Sequence, residues 1–516
     1  MTTVPAIDPA SGLPFAETPS TPVADLPSMV EQARAAQAEW AARPLAERKR
    51  VIARFQRLFY AKRMEAAELI ARENGKPVAE ALLTDVAVTL DMARYYLDHA
   101  ARILRPRRIV HGNVAFLGRR GRLYWEPLGV IAIISPWNYP LLLPFGEMIP
   151  ALLAGNAVIL KPSEFTTRTA VLGVELLHQA GLPAALCQLA AGAGDVGAAL
   201  IEAGPDKIFF TGSVRTGRLV AQTAAARSIP INLELGGSDP CLVLADADLE
   251  RAASGVVWAR FTNGGQTCVA AKRVIVEAPV YQRFVDLLVA KVQTLELGPG
   301  LSRGVDMGPV IRESQLREVE RQLAATVARG ARVRTGGVRR PDLGPTFFEP
   351  TIVTEVPFDS PLWREEVFGP VLPVVPAENV DEAIRLANDS AFGLSASIWT
   401  GDRGRGERLA RRIEAGAVLV NDATSYVGAA EVPHGGEKDS GIGRSHGEFG
   451  MLETCRPRFV GSDRLDWMHK PWWFGYHADS LGARDAFLRL AFAPSLLERV
   501  KAIPGALRLL FNRRRV

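Results

Sequence analysis

The sequence is poor in the residues that would build a disulfide framework, a metal site or a membrane span. Its 516 residues include four cysteines, which lie far apart in the chain: Cys187, Cys241, Cys268 and Cys455. Such scattered thiols suit a reducing cytoplasm and supply no metal-ligand spacing, so no metal is expected. The most apolar runs, such as 130–135, fall far short of the roughly 20 residues of a membrane span. The N-terminus has neither the basic nor the apolar region of a secretory signal.

An excess of charge is also absent from most of the chain. Residues 461–516 hold ten Lys or Arg and five Asp or Glu, and subtracting them from 61 and 56 leaves 51 of each sign in residues 1–460. The net charge of +5 therefore belongs to the C-terminal segment. Because nucleic-acid binding needs a basic surface, a general surface of that kind is not predicted for the main body.

What the chain does contain is an alternation of helices and short strands. Three amphipathic helices are predicted where Ala, Leu, Arg and Glu dominate, at 24–41, 46–74 and 77–104. Residues 119–127 predict a β-ribbon. Further on, apolar runs such as 130–134 and 157–161 alternate with helical stretches, which is typical of an α/β fold with parallel sheets. This length, with 48% hydrophobic residues, predicts two or three domains.

One cysteine lies in a setting that favours reactivity. Residues 261–268 read F-T-N-G-G-Q-T-C, so Cys268 follows two glycines and several polar side chains. Glycines let the backbone come close to a ligand, and an amide-rich setting lowers the pKa of a thiol, which supplies the nucleophilic thiolate. Cys187 and Cys241 lie in apolar runs and are predicted to be buried and inert. Cys268 is therefore the predicted nucleophile, with a lowered pKa.

Seven motifs in order resemble those of the aldehyde dehydrogenase superfamily. They are PWNYP (136–140), KPSE (161–164), FTGS (210–213), LELGG (233–237), FTNGGQTC (261–268), EEVFGP (365–370) and PHGGEKDSGIGR (433–444). The resemblance covers about residues 5–460. It implies a Rossmann-like cofactor domain, an α/β catalytic domain and a small β oligomerisation element. It also implies NAD(P)-dependent oxidation of an aldehyde to the carboxylic acid.

The resemblance assigns a role to each of three catalytic residues. Cys268 would attack the aldehyde and later carry the acyl group as a thioester. The side-chain amide of Asn138 and the backbone N–H of Cys268 would stabilise the oxyanion, an effect that often contributes about 3–4 kcal/mol. Glu234 would activate the water that hydrolyses the thioester, and its apolar neighbours Leu233 and Leu235 should raise its pKa.

Two glycine-rich loops compete for the dinucleotide. Residues 192–197 (GAGDVG) fit G-x-G-x-x-G, but this short pattern is weak evidence. Residues 211–217 (TGSVRTG) join a predicted strand to a helix, whose N-terminus can hold a pyrophosphate. The resemblance favours the second loop, which makes the first a nearby wall or a tight turn. It implies cofactor contacts at Pro136, Trp137, Lys161, Ser163, Glu164, Gly212, Ser213, Gly217, Leu235, Gly236, Glu366 and Phe368.

The predicted cofactor is NAD, with NADP as the alternative. Lys161 and Glu164 resemble the pair that binds the adenosine ribose. A carboxylate there suits the free 2′-hydroxyl of NAD and repels the 2′-phosphate of NADP, whereas Lys161 could still accommodate NADP.

Two substrate classes remain open. Residues 141–150, which follow Asn138, contain no basic residue and one acid, Glu147. Some relatives that oxidise succinate semialdehyde carry an Arg there, so an apolar aliphatic or aromatic aldehyde is the main prediction. Succinate semialdehyde is the alternative, because the overall layout resembles some bacterial enzymes of that kind.

The predicted domain boundaries follow the motifs. Residues 1–117 and 128–235 should form the cofactor domain, and 236–430 the catalytic domain. Residues 118–127 and 431–460 should form the oligomerisation element, and 461–516 a C-terminal tail. A cytoplasmic homodimer or homotetramer is expected, with the tail as a candidate contact with the membrane surface.

The tail combines tryptophans with basic, apolar segments. Trp467, Trp472 and Trp473 precede a stretch in which apolar residues recur at helical spacing between arginines: Phe487, Leu490, Ala491, Leu497 and Val500. Pro494 and Pro504 are expected to divide this stretch, so no single spanning helix is predicted. The tail would then either lie on an anionic membrane surface or pack on the enzyme's own surface or on a sister subunit.

Three other functions compete with aldehyde oxidation to the acid. A CoA-acylating enzyme is disfavoured by the presence of Glu234, because that residue activates water instead of CoA. A relative without catalysis is disfavoured by the intact Cys268, Glu234 and Asn138. A membrane-associated scaffold is indicated by the tail alone.

Overall fold

The chain folds into two compact units. The structure, a computed structural model, describes residues 2–113, 116, 118–467, 470, 472–474, 476 and 478–511. The first unit comprises Met1–Ile103 and Pro127–Cys455, and the second comprises Leu104–Glu126 and Arg456–Val516. The last five residues of the predicted tail, 512–516, lie outside the described residues. The finer division into cofactor, catalytic and oligomerisation domains stays a prediction.

Twenty strands occur in the described residues. In chain order they are β1 Thr3–Asp8, β2 Leu13–Pro19, β3 Arg107–Ile109, β4 Arg119–Pro127, β5 Val130–Ile134, β6 Ala157–Lys161, β7 Cys187–Leu189, β8 Lys207–Thr211, β9 Ile231–Glu234, β10 Asp239–Val243, β11 Ala271–Glu277, β12 Arg332–Thr335, β13 Thr351–Thr354, β14 Val371–Ala377, β15 Phe392–Gly393, β16 Ser395–Trp399, β17 Ala417–Val420, β18 Glu437–Lys438, β19 Gly441–Ile442 and β20 Cys455–Asp463. The predicted ribbon at 119–127 is confirmed as β4, and the predicted runs at 130–134 and 157–161 are confirmed as β5 and β6.

Eighteen α-helices occur in the same part of the chain. In chain order they are α1 Leu26–Ala42, α2 Leu45–Ala61, α3 Arg63–Asn74, α4 Val78–Ala81, α5 Val88–Ile103, α6 Leu142–Ala154, α7 Thr167–Gln179, α8 Gly194–Glu202, α9 Val214–Ala226, α10 Leu249–Phe261, α11 Tyr281–Val292, α12 Glu313–Val327, α13 Pro361–Arg364, α14 Val380–Asn388, α15 Arg403–Ala410, α16 Gly447–Glu453, α17 Ala478–Phe492 and α18 Leu496–Phe511. A π-helical turn, Leu82–Ala87, connects α4 to α5. The predicted helix at 46–74 is two helices, because Lys62 leaves the helical region (φ −94°, ψ 10°).

A six-stranded sheet in the first unit determines where a ligand can bind. Its order is β19-β9-β8-β5-β6-β7, and every pair is parallel except β19 with β9. Strands β6 and β7 follow β5 on one side of it, and β8 then lies on the other side of β5. In such a sheet the loops at the carboxyl ends of the two central strands diverge and leave a crevice, which is the usual ligand site. Here those loops follow Ile134 of β5 and Thr211 of β8.

A seven-stranded sheet forms the rest of the core of the first unit. Its order is β12-β13-β14-β11-β10-β16-β17, and its pairs are parallel except β12 with β13. The central strands β10 and β11 are buried along their whole length, because helices cover both faces of a parallel sheet. The two sheets confirm the predicted parallel α/β fold.

The second unit combines a small sheet with two helices. Strands β20, β4 and β3 form a three-stranded sheet in that order. Helices α17 and α18 pack against each other through Phe487 and Ala506, and a Cβ at Gly505 would lie 2.5 Å from the Ala486 Cβ. We call these two helices the tail hairpin.

One prediction about the tail was wrong. Pro504 lies inside α18, so of the two prolines expected to divide the tail, only Pro494 lies between the helices. A proline inside a helix removes the hydrogen bond to the carbonyl four residues earlier, here that of Val500. Val500 is 53% exposed, so water can satisfy that carbonyl. Within the described residues, no helix has the length and apolar character needed to cross a membrane.

Candidate active site

A cavity of about 350 Å³ opens at the crevice of the six-stranded sheet. We call it the main cavity. Its lining comes from the loops after β5, β6, β8 and β9 and from three segments beyond the sheet: Pro136, Trp137, Asn138, Leu143, Ser163, Glu164, Phe165, Thr211, Gly212, Ser213, Glu234, Leu235, Gly236, Cys268, Arg312, Gln315, Glu366 and Phe368. Thirteen of the fifteen predicted site residues are among them. The two that are not, Lys161 and Gly217, are described below.

The loop that carries Cys268 turns through three consecutive residues with positive φ. Asn263, Gly264 and Gly265 have φ values of 52°, 60° and 75°. A Cβ at Gly265 would lie 2.3 Å from the carbonyl oxygen of Gly369, so only glycine fits there. This turn ends α10 and directs the chain to Cys268, which precedes β11.

Asn138 is fixed beside Cys268 by reciprocal hydrogen bonds between two loops. Its Nδ2 donates to the carbonyl oxygen of Gln266 at 3.0 Å, and its own carbonyl oxygen accepts from Asn263 Nδ2 at 2.9 Å. Buried Lys76 also donates to that carbonyl at 2.8 Å. An amide nitrogen carries two hydrogens, so Asn138 keeps one for a ligand in the main cavity.

The predicted lowering of the Cys268 pKa is wrong for this structure. Burial raises the pKa of the Cys268 thiol to about 12, and the positive charge of Lys272 offsets only part of that rise. The carboxylates of Asp239 and Glu366 raise it further. The free energy needed to remove a thiolate from water is larger than the stabilisation that the surrounding amides and one ammonium group provide. Cys187 and Cys241 are fully buried, as predicted, and their lack of reactivity stays a prediction.

Glu234 ends β9 as a buried acid. Burial raises the pKa of its carboxyl well above the usual value, and the nearby carboxylate of Glu147 raises it further, as the apolar setting predicted. Ser445 Oγ donates to Glu234 Oε1 at 3.4 Å, and His434 Nε2 lies 3.7 Å from Oε2. Burial lowers the pKa of His434 to about 4, so this imidazole is neutral beside the carboxyl group.

Lys161 and Gly217, the two predicted cofactor residues that do not line the main cavity, each contact a residue that does. Lys161 Nζ lies 3.6 Å from Glu164 Oε2 and is itself buried. Gly217 lies under Leu235, where a Cβ would be 2.5 Å from Leu235 Cδ2. Ser213, at the cavity, caps α9 by accepting from the N–H of Thr216 at 3.3 Å.

The structure also separates the two glycine-rich loops. Residues 211–217 place Gly212 and Ser213 in the main cavity at the N-terminus of α9, where the helix dipole favours an anion. Residues 192–197 instead begin α8, and none of them lines the main cavity.

Sequence reasoning missed three polar residues of the site. Lys272 Nζ donates to the carbonyl oxygen of Cys268 at 2.6 Å and to Glu366 Oε1 at 2.9 Å. Arg312 and Gln315 line the main cavity, and the Arg312 guanidinium lies 4.4 Å from the ring centroid of Phe165. The available signal for Lys272 was its position four residues after Cys268, shortly before the apolar run of β11. Arg312 and Gln315 lie more than 40 residues from the other motifs, and nothing local marks them.

A second cavity also reaches Cys268. It has a volume of about 220 Å³, and we call it the apolar tunnel. Its lining consists of Leu83, Thr84, Val88, Tyr139, Leu142, Leu143, Trp258, Thr262, Thr267, Cys268, Val269, Thr424, Ser425, Val427 and Gly428. Among the residues that the structure describes, only Leu143 and Cys268 line both this tunnel and the main cavity. The thiol therefore lies where the main cavity meets the apolar tunnel.

Comparisons with known proteins agree on one family. The model of the aldehyde dehydrogenase family matches residues 1–460. A Mycobacterium tuberculosis protein, named provisionally as an NADP(+) succinate-semialdehyde dehydrogenase, is 37% identical over 456 residues, 88% of each chain. The 4,4′-diapolycopene aldehyde oxidase of a Methylomonas species is 37% identical over 500 residues, 97% of this chain and 93% of that one. The NAD+ complex of Bacillus cereus aldehyde dehydrogenase superposes with a TM-score of 0.86 at 33% identity, covering 90% and 93%.

Proposed function

This chain belongs to the aldehyde dehydrogenase family, and from that premise we propose that it oxidises an apolar aldehyde at Cys268. The general activity is NAD(P)-dependent oxidation of an aldehyde. The observation that carries the finer proposal is the position of Cys268 between the main cavity and the apolar tunnel. One cavity suits a polar dinucleotide and the other an apolar substrate.

In the first half of the reaction, the Cys268 thiol loses its proton to solvent, and the thiolate Sγ bonds to the aldehyde carbon. The negative charge moves to the former carbonyl oxygen, where Asn138 Nδ2 and the backbone N–H of Cys268 would donate to it. Bound NAD(P) supplies a hydride acceptor, and a thioester remains on the sulfur. Gly212, Ser213, Glu164 and Glu366 would hold the cofactor, since they line the main cavity.

In the second half, Glu234 would accept a proton from water as the hydroxide bonds to the acyl carbon. The bond to Sγ then breaks, and the carboxylic acid leaves. A raised pKa makes the Glu234 carboxylate a stronger base once it is ionised.

The lining of the apolar tunnel favours an apolar aldehyde over succinate semialdehyde. In the part of the chain that the structure describes, the tunnel has no Lys, Arg or His to pair with a substrate carboxylate. The Methylomonas relative is named as an oxidase of 4,4′-diapolycopene aldehyde and not of succinate semialdehyde. Because that match covers 500 residues, it includes at least 40 beyond residue 460, so the relative has a counterpart to much of the tail.

An assay of cofactor reduction tests this substrate class. With the full chain and NAD, we expect medium-chain and aromatic aldehydes to give kcat/KM values at least about 10-fold higher than succinate semialdehyde. The physical reason is the cost of burying an unpaired carboxylate in the tunnel. A higher kcat/KM for succinate semialdehyde would contradict the proposal, and no reduction with any aldehyde would contradict catalysis itself.

The proposed preference for NAD over NADP depends on Glu164. Its carboxylate lines the main cavity and would repel a 2′-phosphate. Lys161 Nζ lies 3.6 Å from Glu164 Oε2, and Arg312 lines the same cavity. These two cations would weaken the repulsion between Glu164 and a 2′-phosphate. Running the same assay with both cofactors measures the ratio of their kcat/KM values.

We also propose that the β20 edge of the small sheet joins subunits. β20 is an edge strand whose Phe459 and Val460 are 53% and 49% exposed, and unpaired apolar edges are typical of strands that another chain covers. A homodimer or homotetramer would result. Light scattering on the full chain measures the mass in solution.

The tail hairpin is proposed to contact an anionic membrane surface. Leu481, Phe492, Leu496 and Leu497 are between 63% and 75% exposed. The hairpin also carries five Lys or Arg and three Asp or Glu between residues 478 and 511. Exposed apolar side chains beside a basic excess suit the boundary between acyl chains and anionic headgroups.

Vesicle binding tests the tail proposal. We expect the full chain to sediment with phosphatidylserine-containing vesicles. A double variant with Phe492→Glu and Leu496→Glu should have a bound fraction at least about fivefold lower, because both changes place negative charge in the interface. Leu219→Glu is the matched control, since Leu219 is 59% exposed outside the tail. Equal binding by all three proteins would contradict the proposal.

A further inference from the structure

The apolar tunnel opens where two hydrophobic side chains meet solvent. Cys268 lies at its inner end, whereas Leu83 and Trp258 are 67% and 47% exposed. Leu83 belongs to the π-helical turn before α5, and Trp258 belongs to α10. An aldehyde longer than the tunnel would therefore emerge between these two side chains.

A further cavity of about 540 Å³ begins at the same place. We call it the distal groove. It is lined by Ala79, Glu80, Leu83, Thr84, Ser254, Val257, Trp258, Phe261, Thr262, Lys291, Thr294, Leu295, Asp306 and Met307. Leu83, Thr84, Trp258 and Thr262 line both the distal groove and the apolar tunnel. The two spaces are thus contiguous along α10, and none of the predicted site residues belongs to the groove.

The chemistry of the groove suits a hydrocarbon chain. Its apolar wall includes Val257, Phe261, Leu295 and Met307. Two of its charged residues have partners of their own: Lys291 pairs with Glu250 at 3.0 Å, and Asp306 accepts from the N–H of Glu296 at 3.0 Å. Burial raises the pKa of Glu80, the remaining acid, which favours its neutral form.

Size also argues that the tunnel does not hold the whole substrate. Sites for organic ligands usually measure about 300–1,000 Å³. The tunnel, at about 220 Å³, is below that range, whereas the groove adds about 540 Å³. An aldehyde head in the tunnel with its chain in the groove would use both.

We propose that the distal groove binds the far end of a long, apolar aldehyde and thereby selects long-chain substrates over short ones. This inference rests on the proposed function, because it requires the aldehyde carbon to lie at Cys268. The occupant is the substrate itself, since the groove is continuous with the tunnel that leads to the thiol.

Kinetics on a series of straight-chain aldehydes, from propanal to tetradecanal, tests the groove. We expect kcat/KM of the full chain to rise with length beyond the medium-chain aldehydes. Thr294→Trp, which fills the groove from an exposed position, should lower kcat/KM for tetradecanal at least about 10-fold, since two buried methylenes contribute about that much. Its kcat/KM for propanal should stay within about twofold, because Thr294 does not line the tunnel.

Two further variants make the test specific. Ser254→Trp fills the groove from α10 and should reproduce the selective loss. Gln293→Trp is the matched control, because Gln293 is the exposed neighbour of Thr294 and does not line the groove. Equal losses for short and long aldehydes, or a wild-type kcat/KM that does not rise with length, would overturn the proposal. Absence of activity with every aldehyde would instead overturn the proposed function.

Discussion

Replacing Cys268 by serine is expected to lower aldehyde-dependent cofactor reduction by about 10⁴-fold or more. A hydroxyl is far harder to ionise than a thiol, and the site already raises the pKa of the thiol to about 12. The serine variant would thus lack a nucleophile able to attack the aldehyde carbon. Initial rates of absorbance change with a saturating apolar aldehyde measure the loss. Cofactor affinity, measured separately by fluorescence, should change little, because the main cavity keeps its other lining residues.

Cys455→Ser is the matched control for this substitution. Cys455 Sγ donates to the carbonyl oxygen of Met451 at 3.5 Å, a bond that a serine hydroxyl can replace, and it lies outside both cavities. Its activity should stay within about twofold of the original. If Cys268→Ser kept full turnover while binding cofactor normally, Cys268 could not be the nucleophile.

Glu234→Gln should separate the two halves of the reaction. Glutamine keeps the shape of the side chain but cannot accept a proton from water, so we expect steady-state turnover to fall by about 10²–10⁴-fold. Attack by Cys268 and hydride loss precede the step that needs Glu234. Rapid mixing should thus still show one reduced cofactor per chain, followed by a very slow steady rate, and mass spectrometry should find the acyl group on Cys268.

The pH dependence supplies an independent readout for Glu234. Since burial and Glu147 raise its pKa, hydrolysis by the original chain should accelerate as the pH rises through that raised value. Glu147→Gln removes the neighbouring charge and should keep turnover while moving this rise to lower pH. Glu234→Gln should lose the pH-dependent rise in hydrolysis. Loss of the rapid first turnover in Glu234→Gln would assign this residue to the attack step instead.

Local sequence patterns predicted the elements that depend on local physics. The apolar runs that became β5 and β6 are typical of strands inside a parallel sheet, and both strands are buried along their whole length. The ribbon β4 was also predicted from its local sequence. The position of Pro504 inside α18 was not predicted, because the free-energy cost of a proline there depends on whether water reaches the carbonyl of Val500.

The direction of the Cys268 pKa shift could not be predicted from neighbouring residues. Its neighbours in sequence, two glycines and an amide side chain, indicate an activated thiol, yet burial and the acids Asp239 and Glu366 determine the opposite direction in this structure. Glu366 is nearly a hundred residues away in the chain. Desolvation depends on all the atoms around a group, so it cannot be predicted from a short stretch of the sequence.

By itself, the sequence determined the glycine turn before Cys268 and the strand–helix alternation, because backbone turns and hydrophobic periodicity are properties of neighbouring residues. The role of the acid in LELGG came instead from the resemblance to the aldehyde dehydrogenases. Only the tertiary structure decided that Asn138, Glu234 and Cys268 share one cavity, that Lys272 binds Glu366, and that an apolar tunnel also reaches the thiol. The reason is topological: parallel strands bring their carboxyl ends together only after distant segments have packed, and cavities exist only between packed segments.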